Sequence, residues 1–199
     1  MKFWIAAAAV ALMAPATAFA QDAAPGEPAA PDGSPAFGFE PYVAVMGGYH
    51  EFDSGNDGRL NTACRPQSGC PDGGFVEGIV GVNIPLGPVF VGAEGNAAKG
   101  FKGLDFEYGA YGRAGARIGD SGLIYGKVGY QWVRTKERDL ANRRHRDDGI
   151  AYGLGVEVGP KDIGLGGITG ASGVRLRVEA NTFGSFKSFR PMAGLIAHF

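Results

Sequence analysis

The chain has 199 residues, a formal net charge of −1 and only 20% charged residues. So even a balance gives no global field to attract nucleic acid, and no nucleic-acid partner is expected. Glycine at 35 positions together with 11% aromatics argues against both a helical bundle and a disordered chain.

In chain order, Lys2, the apolar run from Ile5 to Leu12 and the small-x-small site Ala18-Phe19-Ala20 predict a secretory signal peptide over residues 1–20. Residues 21–36, rich in Ala and Pro, cannot bury a core and are expected as a flexible periplasmic tail. Past the signal no apolar run reaches the ~20 residues of a membrane helix. Residues 37–199 alternate with period two instead, the signature of strands. Eight strands are predicted, near 40–52, 74–84, 88–97, 104–118, 122–136, 149–159, 173–184 and 187–199. Pro85-Leu86-Gly87-Pro88 and Gly119-Asp120-Ser121-Gly122 are tight turns by composition, whereas Asp53 to Gly73 and Lys136 to Asp148 are long and polar. Short turns on one rim and long loops on the other are the pattern of an all-β, antiparallel, up-and-down transmembrane barrel with its N-terminus in the periplasm. Gly159 to Ser172 falls where a short turn belongs and leaves ten strands open as an alternative.

Alternation also fits a soluble barrel, so the content of the polar face decides. In strand 104–118, Phe106, Tyr108, Ala110, Ala114, Ala116 and Ile118 oppose Glu107, Gly109, Tyr111, Arg113, Gly115 and Arg117. In strand 173–184, Val174, Leu176, Val178 and Ala180 oppose Arg175, Arg177, Glu179 and Asn181. Glycine mixed with a few long charges suits a crowded lumen, where charges must pair because an unpaired one costs several kcal/mol. The expected lumen network is Glu77, Glu94, Glu107, Glu157 and Glu179 against Arg113, Arg117, Lys127, Arg175, Arg177 and Arg190. Tyr108, Tyr130, Trp132 and Tyr152 are placed on the lipid face, where aromatics gather at membrane interfaces.

The only cysteines, Cys64 and Cys70, predict one disulfide in an exported chain, closing a small ring in the 53–73 loop; two free thiols are the alternative, and a metal site would need more ligands. The stretch Arg134 to Asp148 carries a basic cluster, Arg143, Arg144 and Arg146, suited to phosphate, sulfate or carboxylate groups; a self-paired, solvated loop is the alternative. Lipopolysaccharide phosphates or acidic host glycans are the candidate ligands. No cofactor, metal or catalytic residue is expected.

The chain ends Pro191-Met-Ala-Gly-Leu-Ile-Ala-His-Phe199, an alternating strand closed by an aromatic. It resembles the assembly signal of outer-membrane barrels, and Gly122-Leu-Ile-Tyr-Gly-Lys-Val-Gly-Tyr130 and Tyr152-Gly-Leu-Gly-Val-Glu157 resemble strands of the opacity-protein, porin-like family of small eight-stranded barrels. That resemblance implies an outer-membrane location among lipid and lipopolysaccharide. It also implies that the barrel-insertion machinery reads the last strand, with Ala193, Leu195, Ala197 and Phe199 facing lipid. A structural or adhesive role through the loops is the expected function, a narrow channel the alternative. A lipid A-modifying enzyme is a distant one, since His50, His145 and His198 have no evident nucleophile beside them.

Overall fold

We describe residues 38–52, 73–101, 104–118, 122–138, 144–159, 174–184 and 188–199 of a computed structural model of the chain; at 52, 104, 135–138 and 144–147 the description is of the backbone. Eight strands run β1 (Glu40–Phe52), β2 (Gly73–Leu86), β3 (Val89–Gly100), β4 (Leu104–Ile118), β5 (Gly122–Arg138), β6 (Arg144–Val158), β7 (Val174–Phe183) and β8 (Ser188–His198). Each pairs antiparallel with its neighbour, and β8 returns to β1 through pairs such as Tyr42↔His198 and Val45↔Leu195, closing the barrel. Closure removes the free edges that an open sheet would leave unpaired. It also settles strand number: β6 pairs directly with β7, so residues 159–173 insert no extra strand between them.

The strands form where the alternation places them, because outward positions are apolar and inward ones are small, aromatic or charged. Val45, Val80, Leu154 and Leu195 are among the most exposed, while Glu77, Glu157 and Arg177 show no exposed surface at all. An apolar exterior around a charged interior is the arrangement that a lipid solvent demands. The tight turn between β2 and β3 depends on Gly87, whose φ of 74° lies in the left-handed region that glycine enters without strain. Both ends of the described chain lie at one rim, with Glu40 and His198 near each other; the strand ends at Phe52, Gly73, Arg138 and Arg144 lie at the opposite rim.

Two expectations are corrected. The stretch from Lys136 to Asp148 is mostly strand rather than loop: β5 runs to Arg138 and β6 begins at Arg144, leaving 139–143 as the connection. There the ladder pairs Arg134 with Arg146 and Arg138 with Arg144, with a register irregularity between. Alternation is hidden in this ribbon because charged residues occupy positions of both parities. The inward face is also less polar than expected: Ala44, Met46, Phe75, Ile79, Met192 and Ile196 pack together inside the lumen. The predicted signal peptide, the 21–36 tail and the Cys64–Cys70 disulfide lie outside the described residues.

Candidate functional site

The lumen is built in three tiers, each set by the inward residues of several strands. At the rim shared by the termini, Glu40 of β1 accepts a hydrogen bond from Arg117 at 3.0 Å. Arg175 approaches the same carboxylate at 3.9 Å. His198 lies between two acids, 3.1 Å from Glu40 and 2.8 Å from Glu157. The middle tier is the densest. Lys127 Nζ reaches Glu94 and Glu179, both at 2.7 Å. Arg177 donates to Glu94 at 2.7 Å and also contacts Glu179, and Arg113 donates to Glu157 at 2.8 Å. The Arg113 guanidinium lies 3.8 Å from the Tyr125 ring centre. In the third tier Arg190 binds Glu77 and lies 3.0 Å from Glu107. Glu107 also meets His50 Nδ1 at 2.8 Å and accepts from Gln131 at 3.1 Å.

All eleven charged residues expected in the lumen are buried there. With Glu40 the described lumen holds six acids and six Arg or Lys residues, so the buried charge is balanced. Alternation and composition found the charges; they missed Glu40 and Tyr42, and did not show that tyrosines of the inward face tie the network together. Tyr42 donates to Glu94 at 2.8 Å, Tyr125 to Glu179 at 2.5 Å and Tyr111 to Gln131 at 2.8 Å. Each of these tyrosines has a glycine as its direct cross-strand partner: Tyr42↔Gly81, Tyr111↔Gly129 and Tyr125↔Gly155. A Cβ at Gly155 would sit 2.3 Å from the Tyr125 ring, and one at Gly81 would sit 2.3 Å from that of Tyr42. The aromatic ring therefore covers its glycine partner, which explains why these three positions are glycine. The sequence signal was present as tyrosines sharing the inward parity with glycines on adjacent strands.

His50 and His198 occupy the outermost tiers, buried and bound to carboxylates. Such partners hold an imidazole in place. The side chain of His145 lies outside the description, as does Arg143; Arg144 and Arg146 belong to β6.

On the outer surface three of the expected aromatic residues, Tyr108, Tyr130 and Trp132, gather on β4 and β5. Tyr108 of β4 stacks on Trp132 of β5, its direct cross-strand partner, with ring centres 5.1 Å apart and planes 16° from parallel. Tyr130 meets Trp132 edge-on at 5.0 Å, and Phe106 packs on Tyr108 at 5.9 Å. The C-terminal strand is buried on alternate residues, with Ala193 and Leu195 exposed toward lipid. The Phe199 N–H donates to the Pro41 carbonyl at 2.9 Å, which ties the chain end to β1.

No family model matches the chain. No curated protein matches it either. Solved structures that share the fold include Neisserial surface protein A, at 13% identity and a TM-score of 0.48, covering 81% of this chain and 97% of that one. The attachment invasion locus protein of Yersinia pestis, solved with the heparin analogue sucrose octasulfate, is similar at 11% identity and a TM-score of 0.47, covering 80% and 95%. The N-terminal β-barrel domain of Pseudomonas aeruginosa OprF is similar at 9% identity and a TM-score of 0.49, covering 81% and 97%.

Proposed function

We propose that the chain is an outer-membrane surface protein that acts through the segments beyond its rim, using the barrel as a rigid, closed mount. The observation that carries this reading is the lumen. Glu157 and Arg177 have no exposed surface, and the other charges of the middle tier are almost as deeply enclosed. Eight strands make an interior just wide enough for side chains to fill, and here interlocked pairs fill it. The predicted signal peptide supports export, and the apolar exterior supports residence in a bilayer.

Single-channel recording of the refolded protein in a planar bilayer tests this, with folding checked by heat-dependent gel mobility. A silent, folded barrel is expected. Steady conductance steps that change when Glu157 or Arg117 is neutralised would replace the reading with that of a narrow channel. Release of fatty acid from labelled lipid A would replace it with that of an enzyme.

For assembly, the barrel-insertion machinery is the partner proposed for β8. In the finished barrel β8 is hydrogen-bonded to both β7 and β1. A factor that adds a strand to its edge must therefore engage before β1 closes the ring. Removing Phe199 should slow insertion in cells while leaving the purified barrel close to normal stability.

A further inference from the structure

His198, the last residue of β8, is buried between two acids from different strands. Its Nδ1 is 3.1 Å from Glu40 Oε1 on β1, and its Nε2 is 2.8 Å from Glu157 Oε2 on β6. Each acid also holds an arginine of β4: Arg117 donates to Glu40 Oε2 at 3.0 Å, and Arg113 donates to Glu157 Oε1 at 2.8 Å. From β7, Arg175 lies 3.9 Å from Glu40 and Arg177 lies 4.0 Å from Glu157. Tyr42 of β1 has its ring centre 5.4 Å from that of His198, but its hydroxyl donates to Glu94 at 2.8 Å. The α-carboxylate of Phe199 follows on the same strand end.

Each acid is an acceptor on both oxygens and presents one of them to the ring. A neutral imidazole has one N–H and one lone pair. It can donate to one acid only and must turn its lone pair on the other at close range. The imidazolium donates to both. The acids favour the second proton and the four arginines oppose it, and the close contacts of the ring lie with the acids.

Both contacts fasten the seam that closes the barrel. His198 pairs with Tyr42 at the end of the β1–β8 ladder, and just beyond it the Phe199 N–H donates to the Pro41 carbonyl at 2.9 Å. The contact with Glu40 joins β8 to β1 side by side. The contact with Glu157 ties the same strand end across the lumen to β6. We propose that His198 is a pH-sensitive latch on this seam, shut while the ring carries two protons and loosened when it carries one. The stabilisation is whole below the ordinary titration range of a free imidazole, near about pH 6.5. It is lost as pH rises and the buried ring gives up its proton, because the neutral ring keeps one contact of the two. The end of β8 then frays from β1.

The test follows the exported protein, folded in micelles and labelled with nitrogen-15, by nuclear magnetic resonance. The ring signals of His198, one of three histidines, are assigned by their loss in the His198→Gln variant. At about pH 5, where a free ring is charged, both ring nitrogens should carry protons, and one should lose its proton before about pH 10. Across that loss the Phe199 amide should exchange with solvent about tenfold faster or more, beyond the rise that base catalysis gives every amide, as befits one lost charge-assisted hydrogen bond. The amide of Val178, in the middle of β7, should show no such step. In His198→Gln the step at Phe199 should be absent, since a neutral amide has no second proton to lose. A ring with a single proton at about pH 5, or one that keeps both at about pH 10, would overturn the proposal. So would a ring that titrates without a step at Phe199, or a step that persists in the variant. The measurements on the unaltered protein decide the matter even where the variant fails to fold.

Discussion

The two walls of the lumen solve the same filling problem with opposite chemistry. Along β1, β2 and β8 the interior is packed largely by Ala44, Met46, Phe75, Ile79, Met192 and Ile196. Along β4 to β7 it is filled by Glu107, Arg113, Arg117, Lys127, Glu157, Arg175, Arg177 and Glu179. In the apolar wall each side chain is held by contacts of similar and modest strength, so losing a methyl group leaves a small cavity and little else. In the charged wall Lys127 and Arg177 each bind both Glu94 and Glu179, so one deletion leaves two carboxylates sharing one bridging cation in a site closed to water. One barrel thus has a brittle wall and a tolerant one, and a shared backbone ladder joins them.

That contrast can be broken or sharpened by urea unfolding of the protein folded into lipid vesicles. The largest effect is expected from Arg177→Met, which leaves Glu94 and Glu179 short of positive charge and should cost about 3–5 kcal/mol. A cost below that of a simple cavity would show that the charged wall is not brittle. Gly155→Ala comes next. Its methyl group would collide with the Tyr125 ring and loosen that hydroxyl from Glu179, for about 1–3 kcal/mol. Gly78→Ala is its control, since a Cβ there meets nothing within 4 Å, and it should be close to neutral. The smallest loss is expected in the apolar wall: Ile79→Val should cost about 1 kcal/mol. An Ile79→Val barrel less stable than the Arg177→Met barrel would reverse the comparison.

Much of this architecture was legible in the residues. A period of two marks both strand and face, so the eight strands and the eleven lumen charges could be located one by one. Three things were hidden, each for a physical reason. The apolar wall was hidden because Met46, Ile79 and Ile196 have the hydropathy of lipid-facing residues, and composition does not tell one apolar destination from another. The β5–β6 extension was hidden because charges fall on both faces of the ribbon, so no apolar alternation marks it as strand. The tyrosine–glycine pairs were hidden because a pair exists only once two strands are aligned, and a shift of one residue would send each tyrosine to the opposite face.

By itself the sequence determined a run of amphipathic strands with charge gathered on one face, because side chains on a strand point alternately to opposite sides whatever the strand is paired with. Only the tertiary structure decided which acid meets which base. Arg190 and Glu77 are 113 positions apart, and Arg177 and Glu94 are 83 apart. Their meeting depends on the register of every ladder between them and on closure of β8 against β1, which no local pattern encodes.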